Sequence, residues 1–206
     1  MLPRAAILAT AIGELAIGDP FYGVFCFLAL ALTMVPAIHA RSLDAGIPLE
    51  LELVLLWLML ADMTLGNLFG LYVRVPWFDK ALHLGNSVLI GAIGFLAIYV
   101  LHLTGRTRFH LWLAAVAILL VTLGIGAVWE IAEYAVDKLL GRRTQGSPGM
   151  SALDDTMIDL ILDALGGVLG AILGSLYIRH SKRSRKRVEA FARAIESRDL
   201  ERGSRR

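Results

Sequence analysis

Cysteine is nearly absent from this chain. Cys26 stands alone in an apolar run, so no intramolecular disulfide can form and redox chemistry is disfavoured; it reads as a small buried hydrophobe. Charge is scarce too. Asp, Glu, Lys and Arg make up 18% of the residues while 57% are hydrophobic, against about 25% and 45–50% in soluble globular domains. A mean hydropathy of +0.66 excludes a soluble domain and identifies an integral membrane protein. The sequence carries no nucleotide-binding loop, haem motif or nucleophile elbow, and it shows no internal repeat and no low-complexity segment.

What the chain has is long apolar runs. A spanning helix needs about 20 apolar residues, and windows of that size fall at 21–39, 50–71, 80–103, 110–137 and 156–178. Residues 4–18 superficially resemble a secretion signal, but Glu14 interrupts the run and no polar domain follows, so they read as a short or tilted first helix ended by Gly18, Asp19 and Pro20. Pro36 and Pro48 bracket a loop around Arg41, Pro76 precedes the third full span, Gly105 lies in the next turn and Pro148-Gly149 marks a longer loop. The expected architecture is all-α: a polytopic transmembrane bundle of about six helices over residues 1–178, followed by a basic tail over 179–206.

The near-neutral net charge hides a division. Residues 179–206 hold 11 of the 20 Lys/Arg and 4 of the 18 Asp/Glu, so the tail is net +7 and the body, with 9 basic and 14 acidic residues, is net −5. The positive-inside rule then places the tail in the cytoplasm of a bacterial inner membrane. That orientation sets 15 basic residues inside and 5 outside, whereas the loops alone score 4 to 5. Lys182, Arg183, Arg185, Lys186 and Arg187 directly follow a span, which favours anionic lipid headgroups over nucleic acid as their partner. Val188, Phe191 and Ile195 form one apolar stripe, as in a short interfacial helix. A homo-oligomer is compatible with the sequence.

Acidic residues recur at helical spacing inside the apolar segments: Asp79 with His83, then Glu130, Glu133 and Asp137, then Asp155, Asp159 and Asp163. Counting back from a cytoplasmic tail puts all three groups toward the external face, with Asp62, Asn67 and Glu14 in the same layer. An ionised side chain at the bilayer centre costs about 2.5–3.5 kcal/mol on insertion scales. Glu130, Glu133, Asp159 and Asp163 would together cost on the order of 10 kcal/mol if isolated, which rivals the whole stability of a domain. They must share protons, cations or both. Carboxylates with one imidazole suit Mg, Mn or Zn, so the candidate metal ligands are Glu130, Glu133, Asp155, Asp159 and Asp163. His83, paired with Asp79, is the candidate ligand or general acid/base, and Arg142 and Arg143 are candidates to hold an anionic substrate.

Blander roles stand beside these. Asp154 and Asp155 follow Ser151 and suit a helix cap, Asp79 suits a pair with Lys80, and the two arginines could balance the body's negative charge. On the last span the acidic stripe runs on into Gly166, Gly170 and Gly174, a small-residue face that admits a second helix. Gly126, Gly91 and Gly94 extend the same idea on the neighbouring spans.

Three elements carry a family resemblance: Trp77-Phe78-Asp79-Lys80-Ala81-Leu82-His83, Trp129-Glu130-Ile131-Ala132-Glu133-Tyr134, and Asp155-Thr156-Met157-Ile158-Asp159-Leu160 with Asp163 and Gly166-Gly167. Over residues 1–178 the chain resembles the YjdF-like bacterial inner-membrane proteins, a family of unknown function. The Asp-Lys-x-x-His element and the Asp-rich last helix are also similar to the VanZ-like membrane proteins. Neither resemblance implies a reaction. Three functions therefore stay open: a metal-dependent membrane hydrolase or transferase acting on a lipid-linked or anionic substrate, a proton- or cation-coupled transporter, and a non-catalytic membrane scaffold.

Overall fold

The computed structural model describes residues 2–43, 49–106 and 110–203. Asp44, Pro48 and Arg108, and the side chains of Pro36, His39, Arg41, Arg183 and Ile195, lie outside the described residues. Eight α-helices follow one another among the described residues: α1 (Leu2–Ala16), α2 (Pro20–Leu43), α3 (Leu49–Leu60), α4 (Leu71–Arg74), α5 (Phe78–Leu103), α6 (Leu111–Leu140), α7 (Ala152–His180) and α8 (Lys182–Gly203). Among the described residues there is no strand, and the all-α polytopic bundle expected from the sequence is what forms. Four helical stretches among the described residues are long and apolar enough to cross a membrane: Glu50–Leu68, Phe78–Leu103, Leu111–Leu140 and Ala152–His180.

Two boundaries differ from the sequence expectation. The helix from α3 does not simply run to residue 71. It widens into a π-helical segment over Ala61–Leu68, where the Phe69 amide reaches back five residues to the Thr64 carbonyl at 2.9 Å. It then stops at Gly70, whose left-handed φ of 71° favours glycine. The second difference is Pro36, which was expected to close α2. The helix continues past it to Leu43. Proline removes one helix hydrogen bond, and membrane helices tolerate this where neighbours re-satisfy the backbone. The carbonyl freed is that of Leu32, four residues back; in the same turn Arg4 donates to the neighbouring Thr33 carbonyl at 3.0 Å.

The α5–α7 pair forms the spine of the bundle, and glycine makes its closeness. A Cβ added to Gly170 would collide with the backbone carbonyl of Val88 and lie 2.8 Å from the Ala92 nitrogen; one on Gly91 would strike the Gly167 carbonyl. At Gly166 it would sit 2.6 Å from the Ser87 Cβ. Helices in lipid gain little from burying apolar surface, so backbone approach of this kind supplies the packing energy. α6 joins the pair through Thr122, which is fully buried and packs on Gly167. On the other flank α1, α2 and α3 share an apolar cluster of Ile7, Ala11, Cys26, Ala29, Leu56 and Met63. α8 turns back after Ser181, and its buried Val188 packs with Leu96 of α5 and Ile178 of α7.

The seam makes a prediction. A Gly170→Val substitution meets backbone atoms, which cannot rotate away, and should cost about 1–3 kcal/mol or more of stability. In detergent it should lower the unfolding midpoint well below that of Gly124→Ala, where the added methyl meets nothing within 4 Å. Equal midpoints for the two variants would show that the seam does not hold the bundle.

Candidate functional site

The acidic residues of α5, α6 and α7 converge at one end of the bundle, and Lys80 stands among them. Its ammonium lies 2.9 Å from Asp79 Oδ2, 2.5 Å from Asp155 Oδ1 and 2.7 Å from Asp159 Oδ2. Helical geometry explains the convergence: residues 79, 80, 83 and 87 fall within about 100° of arc on α5, as do 155, 159 and 163 on α7. The glycine seam sets these two stripes face to face.

One turn deeper, His83 lies between three carboxylates. Its Nδ1 is 3.4 Å from Asp163 Oδ1, and its Nε2 is 3.6 Å from Glu130 Oε1 and 3.9 Å from Asp79 Oδ1. Ser87 donates to Asp163 Oδ1 at 2.6 Å, and Thr156 donates to Glu130 Oε2 at 2.6 Å. The other oxygens have no such donor: Glu130 Oε1, Asp159 Oδ1 and Asp163 Oδ2 are buried without a hydrogen-bond partner among the described residues. Asp163 fits there only because Gly126 has no side chain; an added Cβ would stand 2.7 Å from its Cγ. Ligand atoms of Asp79, His83 and Asp159 all lie within 4.8 Å of one another. Around one ion bound at about 2.0–2.4 Å, ligands stand up to about 4.8 Å apart, so the trio has the dimensions of a cation site.

Not every sequence candidate joins this cluster. Glu133, one turn beyond Glu130 and about 60° round α6, is half-buried, accepts a hydrogen bond from Trp129 Nε1 at 2.9 Å and faces a neighbouring cavity. Asp155 does not cap its own helix. It accepts from the Gly146 and Ser147 amides at 2.9 and 3.0 Å as well as from Lys80, while Ser151 Oγ accepts from the Asp154 amide as the cap. Asp137 closes the same loop by accepting from the Thr144 and Gln145 amides. Glu14 lies apart, 3% exposed, in the α1 flank.

The cavity measures about 560 Å³ and lies between α2, the π-helical segment, α4, α6 and the 143–148 loop. Phe21, Tyr22, Phe25, Tyr72 and Trp129 line its apolar wall, while Asp62, Asp79, Glu133 and Asp155 supply carboxylates. The π-helical widening brings Asp62, Gly66 and Asn67 to the wall together. Tyr72 covers Gly66, where a Cβ would run into its ring, and donates to Asp62 at 2.6 Å. Burial and the adjacent Asp62 carboxylate push the Tyr72 hydroxyl well above the usual tyrosine range, so it remains a donor.

The two arginines part ways. Arg142 forms a two-pronged ion pair with Asp19 and stacks over Phe21 and Tyr22, 4.7 and 4.5 Å from their ring centroids. Arg143 lines the cavity, exposed and with no ion pair among the described residues.

Comparison with known proteins places this arrangement. Residues 4–180 match the model of a family described as predicted membrane proteins (DUF2238). The chain belongs to this family. An uncharacterised protein of Thermotoga maritima is 31% identical over 129 residues, 61% of this chain. The chain spans about 62% of the length of that relative. No solved structure matches. The family stretch holds every residue of the cluster and stops where α7 ends, so α8 lies beyond it.

The pairing of Asp79 with Lys80 expected from the sequence is present at 2.9 Å; what the sequence expectation left out is that the same ammonium also reaches Asp155 and Asp159. A signal was present: Lys80 and Ser87 fall within about 20° of each other on α5, so the lysine had to face the interior that Ser87 faces.

The Arg142–Asp19 pair yields a pH test. The guanidinium holds the Asp19 carboxyl below its ordinary value of 3.8. A depressed folded-state value contributes stability above the unfolded value and loses it as pH falls through the folded one. The stability gap between wild type and Asp19→Asn should therefore be constant from about pH 8 to 5 and shrink below about pH 4. A gap that persists at low pH would contradict the charged pairing.

Proposed function

We propose that this end of the bundle binds a divalent cation, Mg, Mn or Zn, and that the cavity beside it receives a lipid-linked or anionic substrate for hydrolysis or group transfer. One observation carries the reading. His83 Nε2, Asp79 Oδ1 and Glu130 Oε1 converge with nothing between them to donate a proton. An imidazolium proton at Nε2 would have acceptors at 3.6 and 3.9 Å, too far for a hydrogen bond. Asp163 Oδ1, 3.4 Å from Nδ1, is the carboxylate nearest the ring, so a neutral His83 with its proton at Nδ1 would offer Nε2 to an ion. Five carboxylates (Asp79, Glu130, Asp155, Asp159, Asp163) face one ammonium, and a buried excess of negative charge calls for a cation.

Asp79, His83 and Asp159 would hold the ion, with Glu130 and Asp163 beside them. Bound there, it would supply Lewis-acid polarisation of a phosphoryl or carbonyl oxygen or of water. Arg143, which lines the cavity and has no ion pair among the described residues, would hold the anionic group. A lipid-linked substrate suits the walls, because α2 and α6 do not pack along their lengths. Phe25 and Trp129 meet across that gap, with ring centroids 6.1 Å apart, and the Arg142–Asp19 pair spans its other end. Transport finds less support: past Asp163 the α5–α7 seam is closed by backbone contacts at Gly167, Gly170 and Gly174. The charge asymmetry favours a C-terminal tail in the cytoplasm of a bacterial inner membrane, with Lys182, Arg185 and Lys186 at anionic headgroups and the site on the external side.

Thermal unfolding of metal-stripped protein titrated with Mg, Mn and Zn tests the cation. Saturable stabilisation should appear, about 2.7 kcal/mol at a hundredfold excess over the dissociation constant. Asp159→Asn and Asp79→Asn should abolish it and Glu133→Gln should leave it intact. A folded wild-type protein that responds to none of the three ions would sink the metal reading and make proton-coupled transport the next hypothesis.

A further inference from the structure

Asp79 divides its two oxygens between two neighbours, and Asp159 has one oxygen engaged and the other unpartnered among the described residues. Oδ2 of each touches the Lys80 ammonium, at 2.9 and 2.7 Å. Oδ1 of Asp79 points to His83 Nε2 at 3.9 Å, and Oδ1 of Asp159, in a residue 1% exposed, has no partner among the described residues. Carboxylates used in this way bridge two cation positions, as they do between the paired ions of two-metal sites about 3.5–4 Å apart. The two positions are filled differently. An ammonium has three N–H donors, and Lys80 has an acceptor for each, since Asp155 Oδ1 at 2.5 Å completes the set. Asp155 is itself saturated by the Gly146 and Ser147 amides. The other position is bordered by acceptors alone: Asp79, His83 and Asp159 each offer a ligand atom within 4.8 Å of the others, and Glu130 Oε1 lies 3.6 Å from His83 Nε2.

Resting on the cation site proposed above, we infer that the centre is a bridged two-cation site in which Lys80 is one of the cations, so that it takes a single divalent ion. Five carboxylates and an imidazole would serve two metals by ligand number, but a second ion would have to displace the ammonium from three carboxylates or be repelled by it at close range. Lys80 thus acts as a positioning residue. By holding Oδ2 of Asp79 and of Asp159, it leaves Oδ1 of each for the ion. The chemistry of the centre is accordingly that of one metal with a fixed ammonium beside it. A substrate oxygen can meet both charges, yet no second metal is available to generate a nucleophile.

Counting ions decides the matter. Detergent-purified protein loaded with Mn should hold one ion per chain by native mass spectrometry, and its Mn(II) paramagnetic resonance should remain that of isolated ions at every loading. Lys80→Met and Lys80→Gln remove the ammonium and leave the carboxylates, so whichever folds should take a second ion and show the spectrum of a spin-coupled pair. Lys80→Arg should stay at one. Two ions in the wild type would overturn the inference while leaving the cation site standing, as would a folded Lys80→Met or Lys80→Gln variant that still holds one. No ion in the folded wild type would overturn the cation site and the inference with it.

Discussion

The contact of α5 with α7 through bare backbone is the constraint on which the other features depend. Gly91 meets Gly167, and Gly170 meets Val88 and Ala92, at separations that no side chain could share. That closeness brings the polar stripes above the seam within ion-pair range: Lys80 reaches Asp155 and Asp159, and Ser87 reaches Asp163. If the helices stood apart by the width of a leucine, the carboxylates would be separate buried charges, each with its own desolvation cost. The seam and the site are therefore one device, with apolar contact below and charge above, built on the same helix faces.

Charge then organises the surroundings. The site's own lysine neutralises one carboxylate of the five, and hydroxyl and amide donors reach others: Ser87 on Asp163, Thr156 on Glu130, the Gly146 and Ser147 amides on Asp155. The loop between α6 and α7 is folded by these demands more than by its own composition. Asp137 ties its beginning, Asp155 its middle, and Arg142 carries its edge across to Asp19 and the aromatic pair at the start of α2. A loop held at three points to acidic groups forms a fixed wall to the cavity. The donors stop short of Glu130 Oε1, Asp159 Oδ1 and Asp163 Oδ2, and those three mark where the site is electrostatically incomplete.

What the sequence disclosed and what it concealed follow the same division. Membrane class, the all-helical architecture and the acidic and glycine stripes were legible because they are periodic, and a period of 3.6 residues survives any tertiary arrangement. Pairings across helices were not. Arg142 and Arg143 are adjacent and chemically alike, yet one is engaged by Asp19 and two aromatic rings while the other faces the cavity. That choice is set by a contact 123 residues distant in the chain. Glu130 and Glu133 share a helix face by spacing, but a 60° difference in direction sends one to His83 and the other to Trp129. The π-helical widening and the passage of α2 through Pro36 run against the local signals, since proline ordinarily ends a helix and nothing in the periodicity marks a π turn.

The polar groups at the acidic end differ in kind from those of a helix-packing network. A network whose purpose is packing saturates itself, because each unmet polar atom in a low-dielectric interior weakens the fold. Around Lys80 that saturation is achieved: three donors meet three acceptors, and Asp155 is met again by two amides. One turn deeper it is withheld, with acceptors of three helices aimed at one another beside a 560 Å³ cavity bordered by Asp79. Evolution toward stability alone would replace Glu130 by glutamine, which could donate where Oε1 now faces His83 Nε2. A fold that leaves these acceptors unmet, and spends a glycine at 126 to admit Asp163, is what the cation site proposed above requires.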